Sequence, residues 1–151
     1  MSEQKPKILV IDDERLICEL LKRYLEKRGY EVTFFTDGRE GLKAIEKTTF
    51  NLALIDIIMP ALSGIEVIKQ LKQVAPGLVF IGMSGSLDET GIAAVSHLGA
   101  AGFISKPFDL PQLAAFIASK IRPASLAGGP SAPVQNVGLN KEFIPPPPPA
   151  P

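Results

Sequence analysis

Five short runs constrain this chain more than any other feature: "KILVI" at 7–11, "EVTFF" at 31–35, "LALID" at 52–56, "LVFIGM" at 78–83 and "AGFIS" at 101–105. "KILVI", "LALID" and "LVFIGM" are apolar almost without interruption. A strand with one wet face alternates polar and apolar residues, whereas a strand covered on both faces reads as a continuous apolar run. The segments between them have helical period. "RLICELLKRYL" places Leu16, Ile17, Leu20, Leu21, Tyr24 and Leu25 on one face, and Gly29 ends that helix. A second helix over 39–47 packs through Leu42 and Ile45, and a third starts at Ser63, where Ser63 and Glu66 have capping-box spacing. Its buried face is Ile65, Ile68 and Leu71. Ser86 and Glu89 repeat the capping spacing before a fourth helix. A fifth begins at Asp109, with Pro111 in its first turn and Leu110, Leu113, Ile117 and Ile121 inward. Alternating buried strands and amphipathic helices imply an α/β fold, with a parallel sheet covered on both faces.

Such sheets place ligands outside the carboxyl ends of their strands. Asp12 and Asp13 follow the first strand, Asp56 closes the third, Ser84 follows the fourth and Lys106 the fifth, so all of them converge on one edge. A carboxylate such as Asp56 at the lip of an apolar strand is costly to desolvate unless something opposes its charge. Three gathered carboxylates make physical sense with a cation among them. Oxygen ligands without a neighbouring His or Cys point to magnesium rather than zinc. Lys106 supplies a second positive charge and Ser84 a hydroxyl donor, which together form a clamp for phosphoryl transfer, and a carboxylate can hold the group as an acyl phosphate. Taken singly, each residue has a plainer reading. Asp12 and Asp13 would cap the first helix, Lys106 would be a surface lysine, Ser84 a turn residue and Phe103 a core aromatic.

Lys plus Arg equals Asp plus Glu, sixteen of each, so there is no broad basic field for nucleic acid. The single cysteine, Cys18, excludes an internal disulfide, suits a reducing cytoplasm and reads as a small buried side chain. No apolar stretch approaches the ~20 residues that span a bilayer, so a cytoplasmic protein without membrane contact is expected. Beyond Ile121 the composition shifts to Pro, Gly, Ala and Ser without periodicity. Residues 122–151 read as a linker, a disordered tail or a docking segment without its own core, and Pro145–Pro149 favour polyproline II.

"ILVIDDE", "LALIDIIMPALSGIEVI", "MSGS" and "GFISKPF", in this order and spacing, resemble the receiver domain of two-component response regulators over residues 1–121. The resemblance implies a doubly wound, five-stranded parallel sheet of order 2-1-3-4-5 with five helices, the flavodoxin-like arrangement. It implies Asp56 as phosphoacceptor, with magnesium held by Asp12, Asp13 and the backbone carbonyl of Ile58. Ser84 and Lys106 would stabilise the phosphoryl group, Ser84 and Phe103 would form the switch, and the Lys106–Pro107 bond would be cis. Gly82 in a central strand would cost packing, and with Gly85 it would loosen the switch loop. The implied function is a signalling switch charged by a partner phosphohistidine, on a sensor histidine kinase or a histidine phosphotransfer protein, that acts through the surface of the fourth helix, fifth strand and fifth helix. The output would be a separate protein or a missing C-terminal domain, and a phosphorylation-dependent homodimer belongs to the same picture. On this reading the chain is no enzyme beyond its own phosphorylation and dephosphorylation. Two other classes stay open: an adaptor with the same fold that works without phosphorylation, and an aspartate-nucleophile phosphatase. The latter ordinarily has a second Asp two residues after its nucleophile, where this chain has Glu14 after Asp12.

Overall fold

Each apolar run becomes a strand and each periodic segment a helix. In chain order these are β1 (Lys7–Ile11), α1 (Arg15–Glu26), β2 (Glu31–Phe35), α2 (Gly38–Lys47), β3 (Leu52–Asp56), α3 (Gly64–Val74), β4 (Val79–Ser84), α4 (Glu89–His97), β5 (Gly102–Ser105), α5 (Leu110–Lys120) and β6 (Phe143–Ile144). The computed structural model describes residues 5–59, 62–85, 89–121 and the Phe143–Ile144 strand. Pro60, Ser86 and the rest of the 122–151 segment lie outside the described residues.

β1 to β5 are parallel, in the order β2-β1-β3-β4-β5. The continuous apolar runs follow from burial on both faces. Leu9, Ile11, Ala53, Ile55 and Phe103 face one layer with Leu42, Ile45, Ile68, Leu71 and Val95 of α2, α3 and α4. The alternate residues Ile8, Val10, Leu52, Leu54 and Ile104 face the other layer, with Cys18, Leu21 and Leu25 of α1 and Leu113 and Ile117 of α5. Residues on the two sides of one strand thus enter separate cores.

The structure departs from the sequence reading in two places. The stripe of α1 that meets the sheet is Cys18, Leu21 and Leu25, with Ile17 and Tyr24 at its margins. Leu16 is 80% exposed and Leu20 48%, because a helix lying on a sheet buries only one stripe of its turn. The sheet also has a sixth strand. β6 pairs antiparallel with β5, and its two residues lie in the stretch read from composition as a linker, a disordered tail or a docking segment without its own core.

The caps behave as their residue types dictate. Ser63 accepts from the Glu66 N–H at 3.3 Å, and Asp109 accepts from the Gln112 N–H at 3.1 Å. Gly29 adopts φ of +99° just after α1, a left-handed conformation that suits glycine.

Candidate phosphoryl-transfer site

β1 ends at Ile11, and the next residue, Asp12, is fully buried. Its N–H donates to the Phe35 carbonyl at 3.1 Å, which ties the turn to β2. Its Oδ1 accepts from the Glu14 N–H at 2.8 Å and so closes a tight turn that leads the chain into α1. Glu14 is the N-cap of α1 and makes no side-chain cap, so neither Asp12 nor Asp13 serves the helix as a capping residue. The carboxylates are turned to the sheet edge instead.

Asp56 ends β3, and its side chain is 5% exposed. Its Oδ1 accepts from the Ile58 N–H at 3.1 Å, a local turn that holds the carboxylate in place. The loop is set from below by α3, where the Gly64 N–H donates to the Ile57 carbonyl at 2.9 Å. A Cβ on Gly64 would collide with the Asp56 carbonyl oxygen and come within 2.6 Å of the Ile57 Cα, so only glycine lets α3 approach so closely. Ile57 in turn lies against β4. A Cβ on Gly82 would meet Ile57 Cδ1 at 3.0 Å and Val95 Cγ1 at 3.4 Å. The packing expected to be lost at Gly82 is therefore supplied by Ile57.

Lys106 follows β5, its N–H donating to the Ser84 carbonyl at 2.9 Å, and the Lys106–Pro107 peptide bond is cis. The lysine side chain is 13% exposed and reaches three acids. Nζ lies 2.8 Å from Asp12 Oδ2, 3.1 Å from Asp56 Oδ2 and 3.1 Å from Glu14 Oε1. The fold therefore gathers Asp12, Asp13, Asp56, Ser84 and Lys106 at one end of the sheet. Asp13, Asp56, Ile58, Ser84 and Lys106 line an open cleft of about 550 Å³ there. Phe103 stands apart, 1% exposed in the core between the sheet and Val95. His97 is exposed and far along α4 from any of these groups.

The electrostatics record a surplus of negative charge. Burial, and next the charge of Asp12, push Asp56 up to about 6, against the opposing pull of Lys106. Burial alone would lower Lys106, but its contacts with Asp12 and Glu14 and the Asp56 charge outweigh that and raise it well above the ordinary lysine range. Cys18 is pushed up to about 12 by burial and then by Asp12, and its thiol donates to the Asp12 carbonyl at 3.2 Å, so it is an inert neutral donor.

The acids fit a divalent cation. Asp12, Asp13 and Asp56 each present a carboxylate oxygen, all within 4.8 Å of one another. Asp12 Oδ2 is buried and has the Lys106 charge beside it but no aligned hydrogen-bond donor, which is the state of an oxygen with a free coordination direction. The donor set is all oxygen, as hard cations prefer. Two contributors were missed from sequence. Glu14 pairs with Lys106, and nothing separates it in sequence from a solvated surface acid. Gly64 carried a signal in its place directly after the Ser63 cap, but the close approach that demands it is long-range.

Residues 8–118 match the family model of the response regulator receiver domain. The chain belongs to the response regulator receiver family. The alkaline phosphatase synthesis transcriptional regulatory protein PhoP of Bacillus subtilis (strain 168) is 35% identical over 138 residues, covering 91% of this receiver chain and 57% of that protein. The chain spans about half the length of several other curated relatives. A CheY-like receiver domain protein from Methanospirillum hungatei JF-1 shares 32% identity with a TM-score of 0.76, covering 83% of this receiver chain and 100% of that one. A response regulator protein from Burkholderia pseudomallei, solved with a phosphorylated aspartic acid, a calcium ion and citrate, shares 25% identity with a TM-score of 0.69, covering 81% of this chain and 70% of that one. Among the described residues, no helix is long and apolar enough to cross a membrane.

Proposed function

We propose that this receiver is a phosphorylation-controlled switch whose Asp56 accepts a phosphoryl group from a phosphohistidine on a sensor histidine kinase or a histidine phosphotransfer protein. The observation that carries the reading is the meeting of the Asp12, Asp13 and Asp56 carboxylates with the Lys106 ammonium at one end of the sheet, where Asp13, Asp56 and Lys106 open into one cleft. The phosphorylated aspartic acid and calcium ion of the Burkholderia pseudomallei relative support it by analogy.

An Asp56 carboxylate oxygen attacks phosphorus in line, the P–N bond of the donor breaks, and its electron pair leaves with the imidazole ring. The product is an acyl phosphate on Asp56. Asp12, Asp13 and the backbone carbonyl of Ile58 would hold magnesium beside Asp56, where it would supply positive charge to neutralise the phosphoryl oxygens. Lys106 already stands 3.1 Å from the Asp56 carboxylate and turns to the incoming oxygens, while Ser84 donates its hydroxyl hydrogen to one of them. Ser84 closes β4 opposite Ser105, and Phe103, two residues earlier on β5, pairs with Gly82, so movement at the hydroxyl is passed along β5 to the α4-β5-α5 surface. That surface then engages an output protein, an output domain or a second copy. The chain acts in the cytoplasm and catalyses no chemistry except on its own Asp56.

Incubation with magnesium and acetyl phosphate tests this. Intact-mass measurement should show one added phosphoryl group, lost on chelation and absent in Asp56→Ala. The same gain in Asp56→Ala would refute the assignment.

A further inference from the structure

The outermost strand of the sheet belongs to the segment that composition reads as a linker, a disordered tail or a docking segment. β5 is the last of the parallel strands, and an uncovered edge of "GFIS" would offer unpaired N–H and C=O groups to any extended chain. β6 covers it, with Phe143 opposite Ile104 and Ile144 opposite Phe103.

Backbone alternation says how. The Lys106 N–H donates to the Ser84 carbonyl of β4 at 2.9 Å, and Ser84 stands opposite Ser105 in the register, so the amides of Gly102 and Ile104 also face β4 and that of Phe103 faces the outer edge. Phe103 and Ile144 are then the hydrogen-bonded pair of the antiparallel ladder, and Ile104 and Phe143 the close, non-bonded pair. The Ile144 N–H is an essential donor, while the Phe143 N–H faces outward. From Pro145 to Pro149 the chain has no N–H at all, so these residues cannot donate to a ladder.

We propose that the Phe143–Ile144 segment is a cis-acting edge strand, a built-in occupant of the outer edge of β5 that excludes extended peptide strands of other molecules from it. β5 has four residues and β6 pairs with two of them, so a longer incoming strand has to displace it. The inference rests on the sheet alone and does not depend on phosphorylation of Asp56.

Two measurements on the full chain test it. In wild-type protein, an Hα–Hα cross-peak between Ile104 and Phe143 is expected, the close contact of a non-bonded antiparallel pair. It should arise within one molecule in a mixture of labelled and unlabelled protein. Its absence, or its appearance only between molecules, overturns the proposal, the latter by making the occupant a second copy. In Ile144→Pro, amide exchange at Phe103 should accelerate by about tenfold or more while Ile81 in β4 keeps its protection, and Phe143→Pro should leave Phe103 protected. Unchanged exchange at Phe103 in Ile144→Pro, or equal acceleration in both variants, overturns it.

Discussion

Replacing Lys106 by Met keeps most of the aliphatic stem and removes the ammonium, which isolates its electrostatic role. In the metal-free protein that ammonium is 2.8 Å from a fully buried carboxylate, Asp12, and 3.1 Å from a second, nearly buried one, Asp56. At an effective dielectric near 20, each contact at ~3 Å has a Coulomb energy of about 5 kcal/mol, much of it offset by desolvation of the ions. Removing one partner of a buried pair typically costs about 3–5 kcal/mol, because the orphaned charge stays buried. Here the cost has a ceiling, since Asp56 can take a proton. With Lys106 present its pKa is already about 6, and without the lysine it rises further. A raised carboxyl pKa means that the folded state binds the proton more tightly than the unfolded chain. The associated stability is present below about pH 4 and is lost as pH rises through about 6 and beyond. Lys106→Met should therefore lose more at about pH 8 in chelator, about 3–5 kcal/mol, than at about pH 4.5, where Asp56 is protonated and the lost contact with Asp12 carries the remaining cost. Urea unfolding followed by circular dichroism reads this directly, because ~3 kcal/mol moves the midpoint by roughly 1–2 M. Saturating magnesium should recover most of the loss at the higher pH by replacing the missing positive charge. An equal loss at both pH values would refute the reasoning and make Lys106 a packing residue.

Asp56→Asn removes the buried charge itself. In chelator at about pH 8 it should be more stable than wild type by about 2 kcal/mol and should lack the decline between about pH 4 and 7, as urea titrations across pH would show. Gly64→Ala should destabilise by about 1–3 kcal/mol and slow phosphorylation, since its Cβ meets backbone atoms of Asp56 and Ile57 that cannot yield, whereas Gly77→Ala, with nothing within 4 Å, should leave both near wild type. Tyr30→Phe removes a 2.9 Å hydrogen bond to the Ile121 carbonyl at the end of α5 and should cost about 1 kcal/mol in thermal unfolding. Burial raises the Tyr30 pKa, so wild type should lose stability above about pH 10 by a margin that Tyr30→Phe lacks.

The parallel sheet was legible because burial on both faces leaves a mark that few other architectures leave: "LALID" has no residue for water until Asp56. The convergence of Asp12, Asp56 and Lys106 followed from strand direction alone, since parallel strands must end on the same side. What escaped the reading depends on partners distant in sequence. Periodicity identified α1 as amphipathic but could not say which stripe meets the sheet, so Leu16 and Leu20 were assigned to the core and lie in solvent. Glu14 reaches Lys106 across 92 positions, and a single acid has no periodicity to betray that. β6 is two residues long, too short for any pattern, and its pairing is decided by the open edge of β5 rather than by its own propensity.

The central claim is that Asp56 carries the phosphoryl group, and acyl phosphates have a chemistry that locates them. Borohydride reduces an aspartyl phosphate to homoserine and leaves free carboxylates and phosphate monoesters alone. Protein phosphorylated by a phosphohistidine donor in magnesium, reduced, digested and sequenced by mass spectrometry, should show homoserine at position 56 alone and no conversion when magnesium is chelated. Conversion at Asp12 or Asp13, or a phosphoryl group that survives reduction on another residue, would contradict the account.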